Sequence, residues 1–265
     1  MTQTTVSCNV DARGIATVCL NRPQKHNAFD DVVIAELDAV FQSCADDSAV
    51  RLVILASEGK SFSAGADLGW MQRMASYSHE ENQADARGLA EMLRKLNNMP
   101  QPTIARVQGA AYGGAVGLVA CCDLAVGSEH AKFCLSEVKI GLIPATISPY
   151  VIAAMGQRAA RRYFISAEVI DAVTAQQLGL LSEQCRAEEL DLRVTELAST
   201  LLDNGPAAVR ASKRLVLDYA DRPIEGDLIE DSCKRIADIR VSEKGQAGLQ
   251  AFLNKQSAPW RDENV

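Results

Sequence analysis

Four glycines, Gly109, Gly113, Gly114 and Gly117, punctuate the apolar stretch from Val107 to Asp123, and few folds accommodate such a pattern. Before it, Thr103–Val107 reads as a buried strand. After Gly113-Gly114 the run to Cys122 is small and apolar on every face, as a helix deep inside a protein is. Glycine permits positive φ and removes the Cβ, so another backbone or a ligand can come close. A Gly-Gly pair opening a helix also leaves amide N–H groups unpaired at the positive end of the helix dipole, a place that suits developing negative charge. Two readings stay open from these residues alone: a binding turn, or glycines that only let a helix pack tightly.

A second stretch repeats that logic. Arg51–Ala56 is a continuous apolar strand suited to a sheet covered on both sides. It runs into the small-residue turn Ser57–Asp67 and then a short helix over Leu68–Met74, offering another set of free N–H groups. Ahead of it, Thr5–Val10 and Ile15–Leu20 flank Asp11–Gly14 as a hairpin. The loop Asn21–Asn27 concentrates Arg22, Lys25 and His26, as a solvated turn or a phosphate contact. Ile34, Leu37, Phe41 and Cys44 recur at helical spacing from Asp30, and Leu89, Met92, Leu93 and Leu96 mark another helix before Pro100 and Pro102. Leu124–Val126 and Lys132–Cys134 follow as short extended runs, without a repeat of fixed period.

From Ile147 the pattern turns helical, with stretches expected near 147–156, 158–166, 171–178, 187–203, 206–220 and 223–241 and breaks at Gly205-Pro206 and Arg222-Pro223. The reading is an α/β chain with a core over residues 1–200 and a C-terminal helical capping or oligomerisation region over 201–265. The tail keeps Phe252 and Trp260, enough apolar surface to dock.

A formal charge of −7 and the lack of a basic run exclude a nonspecific nucleic-acid binder. The three histidines show no ligand spacing, so no metal is expected. The eight cysteines contain no CxxC pair and mostly sit in apolar runs, which points to reduced thiols. No apolar run reaches the ~18 residues of a membrane span, and Met1–Thr5 carries no secretory pattern, so a cytoplasmic protein is expected.

Several local features occur in a fixed order: Asn21-Arg-Pro with Asn27-Ala28, Phe62-Ser-Ala-Gly-Ala-Asp67, Gly109-Ala-Ala-Tyr-Gly-Gly114, Cys122-Asp123, Ala131-Lys-Phe133 and Glu137-Val-Lys-Ile-Gly-Leu-Ile-Pro144. As a set they resemble the enoyl-CoA hydratase/isomerase (crotonase) family, and the likeness runs on to Ala175–Leu180 and Phe252–Lys255. Trp70-Met71 and Ile147–Ile152 are similar, more narrowly, to bacterial 3-methylglutaconyl-CoA hydratases and to their carboxygeranoyl-CoA relatives. The resemblance implies a four-turn ββα superhelix with a C-terminal helical region, a homotrimer or homohexamer, an acyl-CoA thioester substrate and no separate cofactor.

It also implies roles. Ala66 and Gly114 match the positions whose N–H groups hold the thioester oxygen, and Glu137 matches the family's acid/base. Ala64, Asp67 and Leu68 match the adenine-side loop of the CoA site, and Lys25 a position near its phosphates; Lys255 adds a charge near the tail. The departure is Gly117, which stands where many hydratases carry a second glutamate. Either Glu137 works alone with a water held by backbone groups, or another residue replaces the partner. Three activities follow as expectations: hydration of 3-methylglutaconyl-CoA or a longer carboxylated analogue, Δ3,Δ2-enoyl-CoA isomerisation, or acyl-CoA binding without turnover. A distal carboxylate needs a cation, for which Arg73, Lys139 and Arg161 are placed, each equally readable as a surface charge. Tyr150 reads as a wall of the acyl pocket or as core packing.

Overall fold

The computed structural model describes residues 4–262. Its main sheet has six strands in the order β1 (Val6–Val10), β2 (Ile15–Leu20), β3 (Leu52–Ser57), β4 (Thr103–Val107), β6 (Leu124–Ser128) and β9 (Glu183–Cys185). The β1–β2 hairpin is antiparallel, and its turn is held by Asp11, whose carboxylate accepts the amides of Arg13 and Ile15. All the other pairings in this sheet are parallel, with Ile15 opposite Leu52, Val53 opposite Thr103 and Ile104 opposite Leu124. Parallel strands need helical crossovers and become buried on both faces, which is why β3 and β4 are mostly apolar, with Leu52, Val53, Leu55, Ile104, Ala105 and Val107 buried.

A second, smaller sheet joins β5 (Ala110–Tyr112), β7 (Lys132–Cys134) and β8 (Ile170–Asp171). Isolated bridges extend this layer, Ser63 to Ala111 and Phe29 to Ala66. The chain therefore repeats one unit four times: a main-sheet strand, a short extended piece in the second layer, then a helix. The helices are α1 (Asp31–Asp46), α2 (Leu68–Met74) with α3 (His79–Asn97), α4 (Gly114–Cys121), and α5 (Ser148–Ser166). This is the expected ββα superhelix.

One face of the main sheet and these five helices enclose the large core, with Phe41, Leu55, Leu93, Val116 and Phe133 fully buried. The alternate residues of the same strands, Ile15, Leu52, Ile104 and Val126, pack instead on Leu190, Val194, Ala198 and Leu202 of α7 (Leu190–Leu202). That division follows from the two-residue period of a strand.

The expected elements differ from the observed ones where tertiary pairing sets the conformation. Residues 110–112, expected as part of the turn, form β5, and the stretch after Ile147, expected as helices alone, contributes β8 and β9 besides α6 (Ala172–Gln177). The stretches 147–156 and 158–166 are nearly continuous as α5 and break at Gly156, whose φ of 75° and ψ of 157° are non-helical. Beyond α7 lie α8 (Pro206–Tyr219), α9 (Gly226–Val241) and α10 (Glu243–Leu253). Helix α8 is pinned to the core by Lys213, whose ammonium pairs with Asp123 at 2.7 Å and donates to the Gln101 carbonyl. The tail docks through Trp260, which lies over Gly205 and Gly248 and donates to the Asp203 carbonyl, whereas Phe252 is 80% exposed. No helix among the described residues is long and apolar enough to cross a membrane.

Candidate active site

Three chain turns meet at the edge of the second layer. The Phe62–Asp67 turn joins the Tyr112–Gly114 turn through Tyr112 N–H to Ser63 O and Ser63 N–H to Ala110 O, both 3.0 Å. The third turn follows β7: Gly113 N–H donates to Cys134 O at 2.8 Å, and this pins the start of α4 beside the 3₁₀ turn Glu137–Ile140.

Glycine is required at both contacts. At Gly65, φ is +88° and a Cβ would stand 2.7 Å from Tyr112 O; at Gly113, φ is +55° with ψ −128°, a conformation open essentially to glycine alone. A Cβ on Gly113 would also meet Glu137 Oε1 at 3.3 Å, so the carboxylate lies directly over the turn.

Two amides are left over. Phe29 N–H donates to Gly65 O and Asp67 N–H to Phe29 O, both at 2.9 Å, so the N–H of Ala66, between them, points away from Phe29. Gly114 is the first residue of α4, and its N–H precedes the intrahelical ladder. Neither amide has a hydrogen-bond partner among the described residues. The carboxylate has the same character: Glu137 Oε2 is buried without a partner. Burial raises the Glu137 pKa above its ordinary value, with a smaller opposing contribution from its own backbone amide. Two free donors beside a desolvated carboxylate can stabilise an oxyanion and exchange a proton.

The residues expected to hold the CoA moiety are partly brought together. Asp67 caps α2, accepting the amides of Gly69 and Trp70. Its other oxygen pairs with Lys25 at 2.8 Å and with Arg22 at 3.4 Å, and the Lys25 pair holds its pKa below the ordinary carboxylate value. Arg22 also binds Asp30 and the Ala28 carbonyl, so it is a structural charge. Asn27, 2% exposed, donates to Glu58 O and Ser61 O; the loop is internally bonded rather than freely solvated. Ala64 and Leu68 flank Asp67 on the exposed side, Leu68 at 77%. Lys255 stands apart in the left-handed turn after α10, with no ion pair among the described residues.

Of the three candidate cations, Arg73 is paired with Asp31 on the surface. Lys139 and Arg161 are exposed and hold no ion pair among the described residues. Lys139 lies on the Glu137 turn, close enough to act on the Cys134 thiol. Tyr150 packs half-buried against the main core, where Cys121 of α4 and Arg94 and Glu91 of α3 act on its hydroxyl.

Sequence reasoning missed Phe29, and it picked out Ile147 without its contact with Gly117. A Cβ on Gly117 would overlap Ile147 Cγ2 and stand 2.7 Å from its Cβ, so the place of a second carboxylate is filled by an isoleucine. Phe29 bridges Ala66 by its backbone. Its position after Asn27-Ala28 was visible, but nothing local signals a pairing across nearly forty residues.

The same fold recurs in known proteins. An enoyl-CoA hydratase from Shewanella pealeana superposes with a TM-score of 0.94 at 45% identity, covering 97% of this chain and 96% of its own. A Legionella pneumophila enoyl-CoA hydratase/isomerase (crotonase) does so with a TM-score of 0.92 at 44% identity, covering 97% and 98%. The crotonyl-CoA hydratase of Syntrophomonas wolfei is 31% identical over 247 residues, 92% of this chain and 93% of its own. The sequence profile described as Enoyl-CoA hydratase/isomerase matches residues 11–263, which takes in all four ββα turns and the meeting point at Glu137. By fold and by sequence, this chain belongs to the enoyl-CoA hydratase/isomerase (crotonase) family.

Proposed function

We propose that this chain is a hydratase adding water reversibly across the α,β double bond of a branched, carboxylated enoyl-CoA such as 3-methylglutaconyl-CoA. The observation that carries the reading is the unpartnered, buried Oε2 of Glu137 beside the free amides of Ala66 and Gly114. The thioester oxygen accepts from both amides. Glu137 removes a proton from water as its oxygen bonds to the β-carbon, and the double-bond electrons move onto the carbonyl as an enolate. The proton then passes from Glu137 to the α-carbon, which returns the carboxylate to its starting state. Charge on the oxygen is larger in the enolate than in the ester, so fixed donors stabilise the transition state more than the substrate. The raised pKa suits a group that must both take and give a proton.

The CoA moiety is assigned to the outer side of the Ala64, Asp67 and Leu68 turn, with Lys25 and Lys255 toward its phosphates. Lys139 is assigned to the distal carboxylate, because it is an unpaired cation on the Glu137 turn. Exposed apolar residues on α8–α10, including Val216, Ile236, Leu249 and Phe252, support a trimer or hexamer. One observation favours a second reading: with Gly117 bare and Ile147 over it, a single carboxylate serves the site, as a Δ3,Δ2-enoyl-CoA isomerase requires. There Glu137 carries a proton between the α- and γ-carbons.

A panel of esters separates the readings. Loss of enoyl-thioester absorbance with 3-methylglutaconyl-CoA, faster than with crotonyl-CoA, is the expected result. A gain of that absorbance from a 3-enoyl-CoA, with neither 2-enoyl ester consumed, would establish the isomerase instead. Tight binding without any turnover would leave only the binding role.

A further inference from the structure

We propose that Phe29 is a positioning residue that sets the separation of the two amide donors, Ala66 N–H and Gly114 N–H; this rests on the oxyanion role assigned to them above. Phe29 touches both donors at once, by different parts. Its backbone holds the first: the N–H to Gly65 O and the C=O from Asp67 N, each 2.9 Å, fix the plane and direction of the Ala66 amide. Its ring holds the second. A Cβ built on Gly114 would lie 2.6 Å from Phe29 Cζ and 3.3 Å from Cε2, so the ring tip rests on the Gly114 backbone where α4 begins.

The ring has little freedom to give way. Phe29 is 1% exposed, and Trp70 lies against it with centroids 6.4 Å apart at 49°. Trp70 is in turn fixed by its indole N–H to Asp85 at 3.0 Å, across to α3. The phenyl group is thus a spacer between α2, which follows the first donor, and the N-terminus of α4, which carries the second. It is buried and carries no polar atom. Replacing it by a smaller side chain leaves both backbone donors and Glu137 in the chain but removes the contact that keeps them at one distance. Close-packed interiors transmit such changes, and a misplacement of about 1 Å can cost about 10² in rate.

The test uses the full chain with a push–pull cinnamoyl-CoA ester, whose absorption moves to the red when its thioester oxygen accepts hydrogen bonds. Alongside wild type stand Phe29→Leu, Phe29→Tyr, which adds a hydroxyl to Cζ facing Gly114, and Phe41→Leu. Phe41 is fully buried on α1 away from the site, so it reports a loss of core packing alone. The expected result is a red shift with wild type and Phe41→Leu, a reduced shift with both Phe29 variants, and a kcat about 10- to 100-fold lower for these with KM little changed. Phe29→Tyr keeps the ring and carries the test should Phe29→Leu fail to fold. Wild-type shifts and kcat in the Phe29 variants, or an equal loss in Phe41→Leu, would overturn the assignment while leaving the donors' role intact. A wild-type complex with no red shift would remove both.

Discussion

Ile147 lies directly over Gly117: a Cβ on the glycine would stand 2.7 Å from the Cβ of the isoleucine, and nearer still to its Cγ2. The position at which many hydratases of this family carry a second glutamate is therefore closed by a side chain from the start of α5. Gly117→Glu, which restores the residue type, is expected to destabilise the chain by about 1–3 kcal/mol through overpacking and to give no gain in hydration. Combining it with Ile147→Gly should recover much of that loss, since the two sites share one space, and a double-mutant cycle from chemical denaturation measures the coupling. Additive effects would show that the contact is not what excludes the glutamate.

The buried carboxylate has a sign that can be checked against stability. A raised folded-state pKa means that the folded chain holds the Glu137 proton more tightly than the unfolded chain does. Its contribution to stability falls as pH rises from the ordinary 4.5 to the raised value, and stays at the lower level above it. Glu137→Gln removes this slope, so the variant should have the higher unfolding midpoint at neutral pH and lose its advantage below pH 4.5. Urea titrations at several pH values read the difference directly; a variant less stable at neutral pH contradicts the desolvation account.

Lys139 carries the assignment of a carboxylated substrate. A hydrogen bond to a charged group is worth about 1.5–3 kcal/mol. Lys139→Ala should therefore raise KM for 3-methylglutaconyl-CoA about tenfold or more and leave crotonyl-CoA, which has no distal carboxylate, unchanged. An equal effect on both esters would move the cation elsewhere, with Arg161 next in line.

The long elements of this fold are legible in sequence because each carries its own pattern, a continuous apolar run or a helical period. The apolar run Leu52–Ser57 and the helical spacing of Ile34, Leu37 and Phe41 need no tertiary knowledge. The short strands β5, β8 and β9 have only two or three residues, too few for any period to show, and exist because a neighbour offers a ladder. The site divides in the same way. Gly113-Gly114, the Ala64–Leu68 turn and Glu137 stand out as motifs, whereas the contacts of Phe29 with Gly114 and of Ile147 with Gly117 join distant segments through shape alone. Lys25 and Asp67 were both expected on the CoA side, but their mutual ion pair becomes visible only once the loop is folded.

That pair supports its own prediction. Asp67 is 7% exposed, caps α2 and binds Lys25 and Arg22. Losing an N-cap costs about 0.5–2 kcal/mol. Asp67→Ala should cost at least that, and Asp67→Asn, which can still cap, should cost less. Because the folded pKa is lowered, mainly by Lys25, the carboxylate's contribution is complete above the ordinary 3.8 and is lost as pH falls through the lower folded value. Acid unfolding of wild type and Asp67→Asn should accordingly converge at low pH, and curves that stay parallel would discount the ion pair.

The central claim is that one carboxylate, Glu137, moves the proton while Ala66 and Gly114 hold the thioester oxygen. The most direct measurement is hydration of 3-methylglutaconyl-CoA in D₂O by wild type and Glu137→Gln, with the product analysed by NMR. The account predicts one deuteron on the α-carbon and a hydroxyl on the β-carbon with wild type. It predicts a rate lower by about 10²–10⁴ for the variant, with the ester still bound. A Glu137→Gln protein that hydrates the ester at the wild-type rate would contradict it.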